Sequence, residues 1–314
     1  MYDPTKPYKK QILDLIEQTW ETPFVSVTKN VYPIIKKKFD WLEIDHTDGI
    51  GTKGLFHWQQ RSFKNAVLDA LAMNLNDLAL VRATPYKLQN HIIVPQDDRK
   101  AILAIIESLT QECLKRNIAI TGGETSIHNN ITGLDLSISV SGFIKNPKPN
   151  RFKIGDALVG IKSSGLHSNG FTKVRQVFGN KYRPDFIRPT TIYLDSILKL
   201  EKKFDINGMM HITGGAYSKL KDVLINADAR LNRNHHLQPQ QVFKDLYTKG
   251  ISDEEMYQTF NCGIGFILSA SPPQAAKIAS ILNTEIIGEV TRGSGKVIIE
   301  SKLIHIIHIG CVVA

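Results

Sequence analysis

The chain has 314 residues, 42% of them hydrophobic, which supports a sizeable core and, at about 100–200 residues each, two domains. Its formal charge of +9 favours anionic partners, phosphorylated metabolites and nucleic acid alike. No apolar run approaches the roughly 18 residues of a membrane span, and the opening MYDPTKPYKKQ has no signal-peptide core. The cysteines Cys113, Cys262 and Cys311 are too scattered for a disulfide framework or a zinc motif. The expectation is a protein of the reducing cytoplasm with no membrane partner.

In chain order, Ile12, Leu13, Leu15, Ile16 and Trp20 recur at helical intervals and predict an amphipathic helix over 10–20. Lys36-Lys37-Lys38 is the densest basic run, and with no nucleic-acid-binding signature beside it, it reads as a solvated face. A strand over 41–44 is expected to run into a loop at His46-Thr47-Asp48-Gly49. Helices follow over about 63–79 and 97–116, with a strand near 91–94 between them. Alternation over 134–140 marks a half-buried strand, and Asn146-Pro147-Lys148-Pro149-Asn150 then breaks the pattern, so a domain boundary is placed there, giving 1–150 and 151–314.

The second half opens with an apolar strand at 157–161, followed by a Ser/Gly loop and a helix over 171–177. Further helices are expected over 191–200, 218–224 and 242–247, then a strand at 263–268, a helix after Pro272-Pro273 and a strand at 296–299. The apolar 303–314 is too short to span a bilayer and is either an added strand or a tail. Strands alternating with helices in both halves argue an α+β, two-domain αβ protein.

Several short segments have the chemistry of a nucleotide site. Asp48-Gly49-Ile50-Gly51-Thr52-Lys53 offers a carboxylate for Mg²⁺, glycines for close backbone approach and a lysine for phosphate, although such a loop is also found as a plain turn. Asp69, Asn76 and Asp77 offer oxygen ligands that suit Mg²⁺ better than zinc, the alternative being a solvated helix face. Thr121-Gly122-Gly123-Glu124 follows an apolar run, so Glu124 is expected at a strand end as a further metal carboxylate. Gly165-Leu166-His167-Ser168-Asn169-Gly170 precedes a helix whose N-terminal amides favour anions, and His211-Ile212-Thr213-Gly214-Gly215 repeats the theme. For each histidine a structural hydrogen-bonding role stands beside catalysis.

Taken as an ordered set, DGIGTK at 48–53, DALAMNLNDL at 69–78, GGET at 122–125, SSGLHSNGF at 163–171, RPTTIY at 188–193, HITGG at 211–215 and EMYQTFNCGIGF at 255–266 resemble the aminoimidazole ribonucleotide (AIR) synthetases, or phosphoribosylformylglycinamidine cyclo-ligases. The resemblance implies a homodimer in which the N-terminal sheets form a barrel across the interface. It also implies ATP-dependent closure of formylglycinamidine ribonucleotide to aminoimidazole ribonucleotide, a step of purine biosynthesis, through an iminophosphate. Asp48, Asp69, Asp77 and Glu124 would hold Mg²⁺. Lys53, His167 and His211 would serve catalysis. Gly49, Gly51, Thr52, Lys53, Asn76, Gly122, Gly123, Ser168, Asn169 and Thr213 would contact ATP or phosphate.

The chain departs from the family pattern at Arg82, where a glycine is usual, at Ser126–Asn130, and at Ala216-Tyr217-Ser218-Lys219, where a glycine is followed by acidic and amide residues. A related phosphoryl-transfer enzyme with another substrate, or a non-catalytic nucleotide-binding paralogue, are the competing readings.

Overall fold

The computed structural model describes residues 6–179, 181–303 and 306–309. The chain divides into two compact units, one of Met1–Pro147 with Tyr182–Ile192 and one of Lys148–Lys181 with Tyr193–Ala314. The segment 182–192 thus lies beyond a cut at residue 150 yet belongs to the first unit. Its backbone explains this: the Arg188 carbonyl and the Thr190 N–H are hydrogen-bonded to Lys53 and Asp69 of that unit.

The first unit contains α1 (Lys9–Ile16), β1 (Val25–Thr28), β2 (Ile34–Lys37), β3 (Leu42–Gly49), α2 (Gly54–Gln59), α3 (Phe63–Leu80), β4 (Thr84–Val94), α4 (Arg99–Arg116), β5 (Ala119–Ile127) and β6 (Asp135–Ile144). A sheet in the order β3-β6-β4-β5 is antiparallel except for the parallel β4–β5 pair. Helix α3 packs on β3, β6 and α4, and its Val67, Ala70, Leu71, Leu75 and Leu78 are buried, as are Leu88, Ile138 and Val140 of the sheet. A helix apolar almost all round is what a central position requires. Helix α4 starts where Asp98 caps the Ala101 N–H at 2.9 Å and stops at Asn117, which takes the left-handed conformation.

The other face of this sheet is polar. Strand register places Thr47, Ser139 and Gln89 in one row and Ser137, His91 and Glu124 in the next. Strand β3 is longer than expected, so Asp48 and Gly49 end a strand and do not lie in a loop, because their backbones pair with Ile138 and Ser137. A side chain at 49 would press on Ser137 Oγ at 2.8 Å and on the Leu136 carbonyl at 3.0 Å, so glycine is needed there for the close strand approach.

The second unit contains β7 (Ala157–Lys162), α5 (Phe171–Phe178), α6 (Leu194–Glu201), β8 (Ile206–His211), β9 (Ala227–Leu231), α7 (Gln241–Thr248), α8 (Asp253–Thr259), β10 (Ile264–Ala270), α9 (Pro272–Leu282), β11 (Glu285–Arg292), β12 (Val297–Glu300) and β13 (Ile306–Ile309). Its sheet runs β13-β12-β9-β11-β7-β10-β8. The helix expected over 218–224 is a 3₁₀ helix over Ala216–Val223. Of the apolar 303–314, Ile306–Ile309 add a strand antiparallel to β12, and most of the remainder lies outside the described residues.

At the far edge, β8 is covered by the chain that enters the unit. The Asn150 side chain accepts from Met209 N at 2.7 Å and donates to Met209 O at 2.9 Å, as a neighbouring strand would, while Arg151 N donates to Asn207 O at 3.1 Å.

Candidate functional site

Each unit carries its own group of the expected residues. In the first, the short 3₁₀ turn Gly51–Lys53, entered through Gly51 at φ +55°, directs Lys53 inward. Its Nζ lies 2.9 and 2.7 Å from the two oxygens of Asp69 on α3 and 2.7 Å from the Arg188 carbonyl. His57 Nε2 donates to Asp69 Oδ2 at 2.7 Å, and its Nδ1 lies 2.8 Å from Ser62 Oγ. The Thr190 N–H and hydroxyl add bonds to Asp69 Oδ1 at 2.7 and 2.6 Å.

Lys53, His57 and Asp69 are all fully buried. Burial alone would raise the Asp69 carboxyl, but the Lys53 charge and the His57 hydrogen bond overcome it and hold the pKa at about 2. Burial lowers the His57 pKa against the pull of Asp69, so the ring is neutral with the proton on Nε2.

Lys53 is enclosed with its ammonium on Asp69, and Asp69 has both oxygens engaged by protein donors. The physical reason is that a buried carboxylate must be matched internally, and the nearest cation is the lysine sixteen residues before it. Asn76 is buried and donates Nδ2 to the Thr191 carbonyl at 2.9 Å. The segment 188–191 is therefore fastened to α3 and to Lys53 along its length.

Asp48 and Asp77 both act on His46. His46 Nε2 is 3.3 Å from Asp77 Oδ2, and its Nδ1 is 3.0 Å from Asn74 Oδ1, whose Nδ2 reaches the Asp48 carbonyl at 3.1 Å. The Asp77 hydrogen bond, opposed by burial and reinforced by the Asp48 charge, raises the His46 pKa. Glu124 is elsewhere. It sits within β5, exposed, on the sheet face opposite that of Asp48, because residues 49, 137, 91 and 124 share a row while 48, 138, 90 and 123 share the next. Among the described residues no three of His, Cys, Asp and Glu gather into a metal-holding group, so the expected set of four carboxylates does not assemble within one chain.

Gly122 and Gly123 are strand residues. A side chain at 123 would strike Asn90 Nδ2 at 2.7 Å, so that glycine serves the β4–β5 packing. Both line a groove of about 960 Å³ together with Thr47, Gln89, His91 and Glu124, walled by Leu13, Ile16, Trp20 and Tyr32. Gly51 and Thr52 are exposed in the turn before α2.

In the second unit, strands β7 and β8 both flank β10 antiparallel to it, so the loops that leave β7 and β8 emerge at the same end of the sheet. The first is 163–170 and the second 212–215. His167 takes φ +61°, a conformation costly for a residue with a Cβ, and its Nε2 accepts the Ser164 N–H at 3.3 Å, which leaves the Nδ1 tautomer protonated. His167 and His211 are 0% and 1% exposed. Their rings lie 6.3 Å apart in a box completed by Tyr193 and Phe266, the Tyr193 hydroxyl donating to the Lys162 carbonyl at 2.9 Å. Gly265 makes the box possible, since a methyl group there would stand 2.1 Å from Tyr193 Oη and 2.5 Å from His167 Cε1.

Nearer solvent are the half-buried Ser168 and Asn169, whereas Thr213 is buried. Buried Asn261 locks the first loop by donating to the Gly165 carbonyl at 2.8 Å, and the Tyr217 hydroxyl donates to the Asn261 carbonyl at 2.8 Å, tying in the turn that follows the second loop. Thr213 Oγ1 accepts from Lys219 Nζ at 3.0 Å.

Sequence reasoning missed His46, His57, Thr190, Tyr193 and Lys219. His57 follows Lys53 by one helical turn, and Thr190 and Tyr193 fall inside RPTTIY, a segment already singled out. Nothing local in the sequence announces that a distant segment folds back onto Asp69.

Two αβ units bearing these motifs define a class of ATP-linked enzymes, and comparison narrows it. Residues 40–144 match the AIR synthase related protein N-terminal domain, and residues 153–300 match the AIR synthase related protein C-terminal domain. The phosphoribosylformylglycinamidine cyclo-ligase of Methanococcus vannielii is 34% identical over 256 residues, which is 76% of this chain and 73% of that protein. That of Saccharolobus solfataricus is 36% identical over 234 residues, 72% of this chain and 71% of the other. Among solved structures, the hydrogenase maturation protein HypE in complex with ATP superposes with a TM-score of 0.72 at 16% identity, covering 98% of this chain and 95% of that one. The chain belongs to the phosphoribosylformylglycinamidine cyclo-ligase family of AIR synthase related proteins. No described helix is long and apolar enough to cross a membrane.

Proposed function

We propose that the chain converts formylglycinamidine ribonucleotide and ATP into aminoimidazole ribonucleotide, ADP and phosphate. The observation that carries this reading is the 34–36% identity, over more than two thirds of both partners, to proteins named for that reaction. The likeness of the fold to a protein solved with ATP supports use of that nucleotide.

In this reading the formyl oxygen attacks the γ-phosphorus, the bond to ADP breaks, the formamide nitrogen gives up its proton, and an iminophosphate forms. An amidine nitrogen then attacks the former formyl carbon, the carbon–oxygen bond breaks with departure of phosphate, and the ring nitrogen loses its proton. Nucleophile and electrophile belong to one molecule, so the protein's part is to orient them and balance phosphate charge. Ser168, Asn169 and Thr213 are the groups assigned to the substrate in the second unit. His167 and His211, fully enclosed, act as positioning residues that fix the two loops.

In the first unit the groove floored by Gly122, Gly123 and Glu124 is the place assigned to nucleotide. Mg²⁺ accompanying ATP is commonly held by one or two carboxylates plus phosphate oxygens; Glu124 lines this groove whereas Asp48 lies on the opposite face of the sheet, so the ion that would neutralise phosphate charge there is assigned to Glu124. The edge strands β3 and β5 of the first unit's sheet are assigned to a barrel formed with a second copy.

The test is incubation of the purified protein with formylglycinamidine ribonucleotide and Mg-ATP, following aminoimidazole ribonucleotide and ADP together. Equal amounts of both are expected. ADP formed without the ring product favours a relative acting on another oxygen, the reading to which the departure at 216–219 lends weight.

A further inference from the structure

We infer that Lys219 is a substrate-binding residue of the second unit, supplying a cation for a phosphate group at the tips of the 163–170 and 212–215 loops. The inference rests on the proposed reaction for its substrate class, a ribose phosphate, and on the structure for its geometry.

Lys219 sits on the 3₁₀ helix that follows the second loop. Its stem folds back over Gly215, whose absent Cβ would lie 3.5 Å from Lys219 Cγ, and its Nζ reaches Thr213 Oγ1. Gly215 is left-handed at φ +77°, and Ala216 follows at φ +42°, so the turn points the helix's first residues back toward the loop that precedes it. A side chain longer than alanine at 215 would both strain the backbone and displace the lysine.

Two further observations single out an anion. Asn169, on the neighbouring loop, places Oδ1 3.6 Å from where a Gly214 Cβ would stand, and its Nδ2 is buried with no acceptor among the described residues. A donor lacking an acceptor thus lies beside a loop that already holds an ammonium. Among the described residues no carboxylate pairs with Lys219; it donates to the neutral Thr213 hydroxyl. A half-buried ammonium and an unsatisfied amide N–H together ask for an acceptor that carries negative charge, and phosphate oxygens supply it.

The experiment measures binding of ribose 5-phosphate and, separately, of Mg-ATP to the full-length protein and its Lys219→Met and Lys219→Arg variants by titration calorimetry, with thermal melts of each. Loss of a charge-assisted contact should weaken ribose 5-phosphate binding by about ten- to a hundredfold in Lys219→Met, with partial recovery in Lys219→Arg and unchanged melting. Mg-ATP binding should not change. Weakening of Mg-ATP alone would still place a phosphate at Lys219 but make it the nucleotide's. Equal affinities of wild type and Lys219→Met for both ligands, or no binding of either by wild type, overturn the inference. Lys219-dependent binding of ribose 5-phosphate in a protein that forms no ring product would keep it and remove the cyclo-ligase reading.

Discussion

Lys53 and Lys219 both stand within a few residues of a left-handed glycine, Gly51 in one case and Gly215 in the other, yet the two units use them in opposite ways. Lys53 is fully enclosed and its charge is consumed by Asp69, whereas Lys219 is half-buried and meets a neutral hydroxyl. A lysine beside glycines is therefore not in itself a phosphate ligand. What decides is whether a carboxylate reaches it first. In the first unit the next helix brings one, together with His57; in the second, among the described residues, no carboxylate pairs with the lysine.

The sharpest way to break this contrast is to remove the internal partner. Asp69→Asn leaves Lys53 buried without a counter-charge and should cost about 3–5 kcal/mol, read as a large fall in the denaturation midpoint. A variant of near-native stability would mean that Lys53 escapes to solvent. Acid provides a milder probe. The Asp69 pKa is about 2 in the folded chain against 3.8 for the free group, so its contribution is fully present above about pH 4 and is lost as pH falls toward 2. The loss amounts to about 2 kcal/mol and should be absent from the acid limb of Asp69→Asn, measured as denaturant midpoint against pH. The smallest effect is expected across the divide: Lys219→Met should change stability by no more than about 0.5 kcal/mol, as surface substitutions away from buried networks do. A greater loss would mean that its bond to Thr213 holds the loop together.

The sequence was legible where periodicity was unambiguous. Helices α3 and α4 fall within a residue or two of the spans read from Ala66, Leu71 and Leu75 and from Ile102, Ile105 and Leu109. Strands β1, β2, β8, β9 and β11 were not read. Strand β8 shows why: every residue of Ile206–His211 is buried, so alternation vanishes, and Asn207 and Gly208 look like turn residues. Gly208 is in fact required by the chain passing over it, since a Cβ would stand 2.6 Å from Phe152 Cδ1. For the site, the motifs marked the right segments but not the direction of their side chains. Asp48, Asp69, Asp77 and Glu124 were grouped by residue type; strand register sends Glu124 to one face of the sheet and Asp48 to the other, and burial spends Asp69 on Lys53.

The return of 182–192 to the first unit has a consequence for how the protein can be taken apart. The chain passes from the first unit to the second, back, and across again, so no single cut releases either unit whole. A fragment ending at residue 150 would keep Lys53, His57 and Asp69 but forfeit the Arg188 carbonyl and both Thr190 donors. Dissection by truncation, the usual route to isolated domains, would here unmake the charged core of the piece it meant to preserve.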